Sequence, residues 1–153
     1  MNWNKVNSST DIENFMYLFG GFHDSCLKEL YMSTETFVDE DLSVSMSVNL
    51  DTCVRILFQR QYRDPSAIEL LFKGVTHFHI QPRSEDQDSI IYGAKLVLEE
   101  GQFYWAEDEE WQINHPFLHP VSWISAKELK WRDVSQWMGK EQRYGVISNE
   151  ENL

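Results

Sequence analysis

The residues most able to do chemistry form a short segment, Phe22-His23-Asp24-Ser25, directly after two glycines. A carboxylate beside an imidazole can orient it as a general base, and the two side chains can also share a metal ion. Adjacent residues of an extended chain point to opposite faces, so His23 and Asp24 converge only if the backbone turns. In a turn, an Asp side chain accepts hydrogen bonds from nearby backbone N–H groups. We therefore predict that these four residues form a structural turn between a helix and a strand, with no catalytic residue among them.

A second candidate is the pair His77 and His79, whose spacing places both imidazoles on one face of a strand. Such a pair can ligate zinc, but a third ligand is required. Glu69 and Lys73 fall on the same strand face, which is typical of a solvated surface, so we predict no metal and no cofactor. The alternative that remains open is a metal-dependent enzyme built from His23, Asp24, His77 and His79, with His115 or His119 as further ligands.

The strongest local charge feature is the run Glu107-Asp108-Glu109-Glu110, which is followed by Trp111. Four consecutive acids are rarely buried. On the surface they would contact Lys or Arg side chains of a partner, with Trp111 as an aromatic anchor. The plainer alternative is the solvated exit of a hairpin. We predict that Glu107, Asp108, Glu109, Glu110 and Trp111 are partner-binding residues.

The overall charge limits the kinds of partner. The chain of 153 residues has a formal net charge of −12 and an estimated pI near 4.7. Phosphate backbones and anionic lipid surfaces attract basic proteins, so we expect neither nucleic acid nor membrane as a partner. A basic protein would be attracted over a long range. Because no phosphate-binding loop, dinucleotide-binding glycine motif or nucleophile elbow occurs, we predict that the chain is not an enzyme.

Composition favours one soluble domain over residues 1–153. The apolar fraction of 42% is enough for a sizeable core. No apolar run is long enough for a membrane helix, and the first residues lack the pattern of a signal peptide. The two cysteines, Cys26 and Cys53, are too few for a disulfide scaffold, so we expect both to be reduced and structural. The expected location is the cytoplasm.

One helix is predicted near the start of the chain. Ser9 or Thr10 can cap its first turn, with Glu13 in capping-box spacing after Thr10. Gly20 and Gly21 end it, since glycine accepts the left-handed conformation that follows many helices. The apolar face consists of Ile12, Phe15, Met16 and Phe19.

The rest of the chain alternates with period two, which predicts six to eight antiparallel strands. Residues 42–50 alternate most cleanly, and we expect them to form a hairpin with residues 54–58 through a loop at 51–53. A long strand follows at 67–82, with a bulge at Gly74. The remaining elements are a hairpin around Glu100-Gly101, a bent strand over 121–131 and a short C-terminal helix capped by Asp133. The predicted fold is α+β and mostly β: a curved antiparallel sheet or partly rolled barrel with an N-terminal helix.

Several of these segments resemble a known group of proteins. The segment "FHDSCLKELY" resembles the Phe-His-Asp-Ser turn of small bacterial domains that include predicted immunity proteins of polymorphic-toxin systems. "VRILFQRQ", "IELLFKGVTHFHI" and "WISAKELKW" look like the later strands of Bacillus-type members of this group. The resemblance implies a cytoplasmic protein that neutralises a cognate toxin by stoichiometric binding, without turnover. It carries over no catalytic residue.

Tryptophan content leaves a further function open. Five of the six tryptophans fall in the second half of the chain. Stacked aromatic side chains around a concave pocket are typical of small-ligand or carbohydrate-binding domains. A small-ligand or carbohydrate-binding β domain is therefore a second alternative to the immunity protein. The residues concerned are Trp105, Trp111, Trp123, Trp131 and Trp137.

Overall fold

The computed structural model describes residues 2–145, which form one large antiparallel sheet with a single α-helix. The elements are β1 (Asn4–Val6), α1 (Ser9–Leu18), a 3₁₀ turn (Gly20–Phe22), β2 (Ser25–Ser33), β3 (Phe37–Val38), β4 (Val44–Ser45), β5 (Cys53–Arg60), β6 (Ala67–His79), β7 (Lys95–Glu99), β8 (Gln102–Ala106) and β9 (Trp123–Asp133). The main sheet runs in the order β2-β5-β6-β9-β8-β7, and β1 also pairs with β9. The predicted α+β class is confirmed, and the sheet formed by the described residues is open, with no barrel closure.

A short seam, in which Ser25 and Gly21 bond to Ile91 and Ala94, joins the two ends of this sheet. β2 and β7 are its edge strands, yet an isolated bridge pairs Ser25 at the start of β2 with Ile91, four residues before β7. The Ile91 N–H donates to the Ser25 carbonyl at 2.7 Å, and the Ala94 N–H donates to the Gly21 carbonyl at 3.0 Å. The predicted turn around His23 therefore lies at this seam.

The N-cap of helix α1 lies one residue before the earlier of the two predicted caps. Ser8 is the N-cap, and its hydroxyl accepts a hydrogen bond from the Asp11 N–H at 3.2 Å. The Asp11 carboxylate accepts from the N–H of Asn7, the residue before the cap, at 2.8 Å, so Asp11 and not the predicted Glu13 reaches back over the start of the helix. Gly20 and Gly21 both have positive φ, and α1 ends just before them as predicted.

The inner face of the sheet, defined as the face that packs on α1, holds the main core. Alternate residues of β5 and β6 point into it, together with residues from β8 and β9. The hairpin predicted around Glu100-Gly101 is confirmed, with Leu98 opposite Phe103 and Leu96 opposite Trp105. The helical side chains that close this core are Ile12, Phe15 and Phe19, with Met16 partly buried beside them.

The hairpin predicted between residues 42–50 and 54–58 is wrong. β5 pairs with β2 on one side and β6 on the other, so no free edge of β5 remains for a third strand. Residues 34–52 instead leave the sheet as an arm, in which only β3 and β4 pair with each other. We refer to residues 34–52 as the arm.

The outer face of the sheet, opposite α1, carries an ionic cluster at its centre. Glu69 is fully buried, although the sequence pattern predicted a solvated position. Its carboxylate accepts hydrogen bonds from Arg55 Nε at 2.8 Å, Arg132 Nε at 2.6 Å and the Tyr144 hydroxyl at 2.5 Å. Burial and the hydrogen bond to Glu69 raise the pKa of Tyr144. The cluster holds the segment after β9 against the sheet.

The predicted C-terminal helix is also wrong, because residues 134–140 form a turn followed by irregular chain. Asp133 does cap this turn, since its carboxylate accepts from the Ser135 N–H at 2.9 Å. The Gln59 side chain on β5 donates to the carbonyls of Trp137 and Gly139. The carbonyl acceptors are therefore satisfied by the sheet.

Candidate functional site

The turn at Phe22–Ser25 is a backbone joint with unusual dihedral angles. Phe22 has φ of 67° and Asp24 has φ of 61°, a region that L-residues rarely adopt. The Ser25 hydroxyl donates to the Phe22 carbonyl at 2.6 Å. The Asp24 N–H donates to the Ile91 carbonyl, and the Asp24 carbonyl accepts from the Gln61 N–H. The backbone of the turn is thus tied to two other segments of the chain.

His23 and Asp24 do approach each other, with Nε2 and Oδ2 3.5 Å apart. The other ring nitrogen, Nδ1, lies 2.9 Å from the Tyr92 carbonyl. A carbonyl oxygen can only accept, so Nδ1 carries the proton in this contact and a neutral ring presents an unprotonated Nε2 to Asp24. A carboxylate that orients a general base accepts an N–H, which Asp24 receives only from the imidazolium. This geometry favours the structural role over the catalytic one.

Replacing Asp24 with alanine is expected to lower the free energy of unfolding by about 1 kcal/mol, because alanine is strained at positive φ. The Asp24→Asn variant should lose only a few tenths of a kcal/mol of unfolding free energy, since asparagine tolerates a positive φ. Urea unfolding of the wild type, Asp24→Ala and Asp24→Asn measures the difference. If the two variants lose the same stability, the carboxylate charge matters and the backbone account is wrong.

The histidines of β6 lie against aromatic rings. The His77 ring centroid is 5.5 Å from that of Trp123, and the His79 centroid is 5.4 Å from that of Phe117. His77 Nδ1 also lies 3.2 Å from the Ser125 hydroxyl. Among residues 2–145, no three His, Cys, Asp or Glu side chains converge in the manner of a metal site. The proposed ligand set of His23, Asp24, His77 and His79 is therefore not assembled.

The acidic run lines a cleft together with the segment before β7. Glu107–Glu110 form one wall of a cleft of about 340 Å³, and Ile90–Gly93 form the other. Ile90 and Tyr92 are both exposed there, so the cleft combines apolar surface with carboxylates. Glu107 and Asp108 are half-buried and Glu109 and Glu110 are exposed, and burial raises the pKa of Glu107. Such a cleft fits a Lys or Arg side chain, with its aliphatic part on the apolar wall.

Gly93 gives the Glu109 carboxylate its place in this cleft. A Cβ atom built on Gly93 would collide with the Glu109 carboxylate. The backbone of Gly93 has no left-handed φ, so alanine fits the local conformation and only the Glu109 side chain must move. Because Gly93 has no side chain, the Glu109 carboxylate has room to lie against it in the cleft.

Trp111 is not available as the predicted exposed anchor. It is almost fully buried, and its Nε1 donates to the Pro116 carbonyl at 3.0 Å. Its ring packs 5.3 Å from that of Trp123 on the outer face of the sheet. Trp105 and Trp123 are buried as well, so these three tryptophans do not form an open stacking platform. The partner-binding role of the four acids stays a prediction.

The arm is the surface feature that the sequence analysis missed. Seven of its large apolar side chains are exposed: Phe37, Val38, Leu42, Val44, Met46, Val48 and Leu50. The available signal was the absence of charge between Asp41 and Asp51. We interpreted this uncharged, alternating segment as a core strand, because alternation alone does not show whether the apolar face of a strand is covered by the protein.

Comparison with models of known protein families, with curated proteins and with solved structures gave no match. The resemblance to immunity proteins thus rests on the sequence segments alone.

Within residues 2–145, no helix has the length and apolar character needed to cross a bilayer. The cysteines Cys26 and Cys53 are free thiols, both half-buried, and burial raises the pKa of Cys53.

Proposed function

We propose that this chain is a cytoplasmic binding protein that neutralises a basic toxin domain by stoichiometric association, as immunity proteins do. The cleft between Glu107–Glu110 and Ile90–Gly93 carries the proposal. It joins four carboxylates to exposed apolar surface, which is the chemistry that receives a Lys or Arg side chain of a protein partner. The net charge of −12 would also speed the encounter with a basic partner.

The immunity class also accounts for the kind of inhibition expected. Toxin domains that act on nucleic acids carry basic surfaces that contact phosphates. An acidic protein that covers such a surface blocks substrate without any chemistry of its own. The binding is therefore expected to be one-to-one, and to weaken as salt screens the charges.

The cleft is tested with purified basic toxin domains of the nuclease type as probes. We expect Gly93→Ala and Glu109→Gln each to raise the dissociation constant about threefold to tenfold, since each removes one charge from the contact. Isothermal titration calorimetry at low and high salt measures the change. Glu13→Gln, an exposed acid on α1, is the matched control and should bind like the wild type.

The Gly93→Ala variant tests the position of the Glu109 carboxylate separately from its charge. It leaves the net charge of the protein unchanged, yet it displaces the Glu109 carboxylate from the cleft. If Glu109→Gln weakens binding and Gly93→Ala does not, the position of that carboxylate is irrelevant. Absence of one-to-one binding to the basic domain would contradict the proposed function itself.

A further inference from the structure

The alternating segment of the arm directs its serines towards the protein and its apolar side chains towards solvent. Ser45 and Ser47 are half-buried, whereas Val44 and Met46 are exposed and Val48 is fully exposed. In a sheet strand with one covered face, the apolar side chains would face the protein. Here they face away from it. The apolar face of the arm is therefore displayed to the surroundings of the molecule.

The arm has a defined shape even though it leaves the core. At its tip, the Asp39 N–H donates to the Ser43 carbonyl, and the Leu42 N–H donates to the Asp39 carbonyl, both at 2.8 Å. At its base, the Asp51 carboxylate accepts from the Glu35 N–H at 3.2 Å and from the Thr36 hydroxyl at 2.9 Å. These bonds order the backbone of the arm at its tip and base before any partner arrives, which reduces the entropy cost of binding.

The core does not use the arm. None of the residues of the arm belongs to the three hydrophobic clusters of the described chain, which draw on both faces of the sheet and on α1. The exposed apolar side chains thus add nothing to these clusters. Contiguous apolar surface of this kind is typical of a site that another molecule covers.

Charge identifies the occupant. The arm carries five acids and no Lys or Arg, and the apolar side chains lie between them. Two copies of the arm in contact would bring two sets of these carboxylates together without a counter-charge, which disfavours self-association. A partner with an apolar centre ringed by Lys and Arg would satisfy both features. The acids concerned are Glu35, Asp39, Glu40, Asp41 and Asp51.

We propose that the arm is the main docking surface for the basic protein partner, with Val44, Met46 and Val48 at its centre and the acids at its rim. This inference rests on the proposed function, because it assumes a basic protein partner. It assigns the greater part of the binding energy to the arm, and a smaller, charge-dependent part to the cleft lined by Glu107–Glu110.

The probe is a synthetic peptide with a short apolar centre flanked on both sides by lysines. A control peptide of the same composition has lysines interrupting the apolar run. We expect the double variant Met46→Ser/Val48→Ser to bind the first peptide at least about tenfold more weakly than the wild type, since central apolar contacts dominate such interfaces. Glu35→Gln/Glu40→Gln should weaken binding less and reduce its salt dependence. Fluorescence anisotropy at low and high salt measures both.

Tyr17→Ser is the matched control, because Tyr17 is as exposed as the arm residues but lies on α1. It should leave peptide binding unchanged. The serine variants should unfold at the same urea concentration as the wild type, because Met46 and Val48 are exposed and belong to none of the hydrophobic clusters of the described chain. A preference of the wild type for the control peptide would overturn the proposal.

The remaining outcomes separate this inference from the proposed function. If Glu109→Gln/Glu110→Gln abolishes peptide binding and Met46→Ser/Val48→Ser does not, the acidic cleft is the site and the inference fails while the proposed function stands. If the wild type binds neither peptide, the inference fails, whereas the proposed function is decided by the titration with the basic toxin domain. If sedimentation shows a wild-type dimer that the serine variant loses, a second copy occupies the arm and the inference is wrong.

Discussion

Replacing Glu69 with alanine is expected to lower the free energy of unfolding by about 3–5 kcal/mol, because it leaves two guanidinium groups without their acceptor. Glu69 is fully buried and accepts hydrogen bonds from Arg55, Arg132 and Tyr144. Arg132 is also largely buried, so water cannot replace the carboxylate at its Nε. Urea unfolding followed by tryptophan fluorescence measures the loss.

A second variant separates the charge from the packing. Exchanging Arg55, Glu69 and Arg132 together for apolar residues of similar volume should recover most of the lost stability, since no charge is then left unpaired. Glu13→Ala, an exposed acid on α1, should change stability little. A loss below about 1 kcal/mol in Glu69→Ala would mean that the two arginines find other partners, and that the cluster does not support the sheet.

The ionic cluster and the proposed interface are separate parts of the molecule. Glu69 holds Tyr144 on the outer face of the sheet, and Glu29 accepts from the backbone N–H groups of Arg143 and Tyr144 at 2.8–3.2 Å. The arm shares none of these contacts. We therefore expect substitutions of Glu69 to change stability without changing the apolar surface of the arm, which makes stability and binding measurable independently.

Local patterns predicted the elements whose partners are near in sequence. The helical spacing of Ile12, Phe15 and Phe19 identified α1, and the hairpin of β7 and β8 has the register that its apolar alternation requires. The bulge predicted at Gly74 is slightly misplaced, because the register with β9 shifts between Val75 and His77. Gly74 itself stays in register and has a φ of 62°, which glycine adopts readily. Each of these features depends on contacts within a few residues or on the backbone itself.

The features that the sequence analysis predicted wrongly depend on the pairing of strands that are far apart in the chain. Residues 42–50 alternate as a sheet strand should, but β2 already occupies the edge of β5. The burial of Glu69 has the same origin, because the arginines on either side come from β5 and β9, far away in the chain. Which strands neighbour each other depends on the whole sheet, and period-two alternation is silent about it.

The candidate site was predicted in part. An acidic surface at Glu107–Glu110 followed from the cost of burying charge, and the structure adds the apolar wall at Ile90 and Tyr92. The burial of Trp111 was not foreseeable, since it depends on the chain folding back so that Pro116 accepts from the indole. Aromatic residues serve cores and interfaces equally well, and only the fold distinguishes the two.

The other large effect is expected at Phe22, where alanine should lower the free energy of unfolding by about 3–5 kcal/mol. Phe22 is fully buried, and its ring packs edge-on against Phe19 at 5.0 Å, Phe58 at 4.9 Å and Trp105 at 5.7 Å. One side chain thus joins the end of α1 to strands on both halves of the sheet. Its removal leaves a cavity that the rigid aromatic neighbours cannot close.

Glycine at the same position distinguishes packing from backbone strain. Phe22 has φ of 67°, so Phe22→Gly loses the same ring but relieves a strain of about 1 kcal/mol that Phe22→Ala keeps. The glycine variant should therefore be the more stable of the two. Phe22→Leu retains part of the contact and should lose least.

Hydrogen exchange locates the effect. Because Phe22 lies at the seam, its loss should speed exchange of the Ile91 and Ala94 amides, which donate to Ser25 and Gly21. Ile91 and its neighbours form one wall of the acidic cleft, so Phe22→Ala should also weaken binding at the cleft, whereas the arm, anchored by Asp51, should keep its own contacts. Unchanged exchange at Ile91 and Ala94, with Phe22→Ala folded, would show that the seam is held by its backbone bonds alone and that the aromatic ring serves only the core.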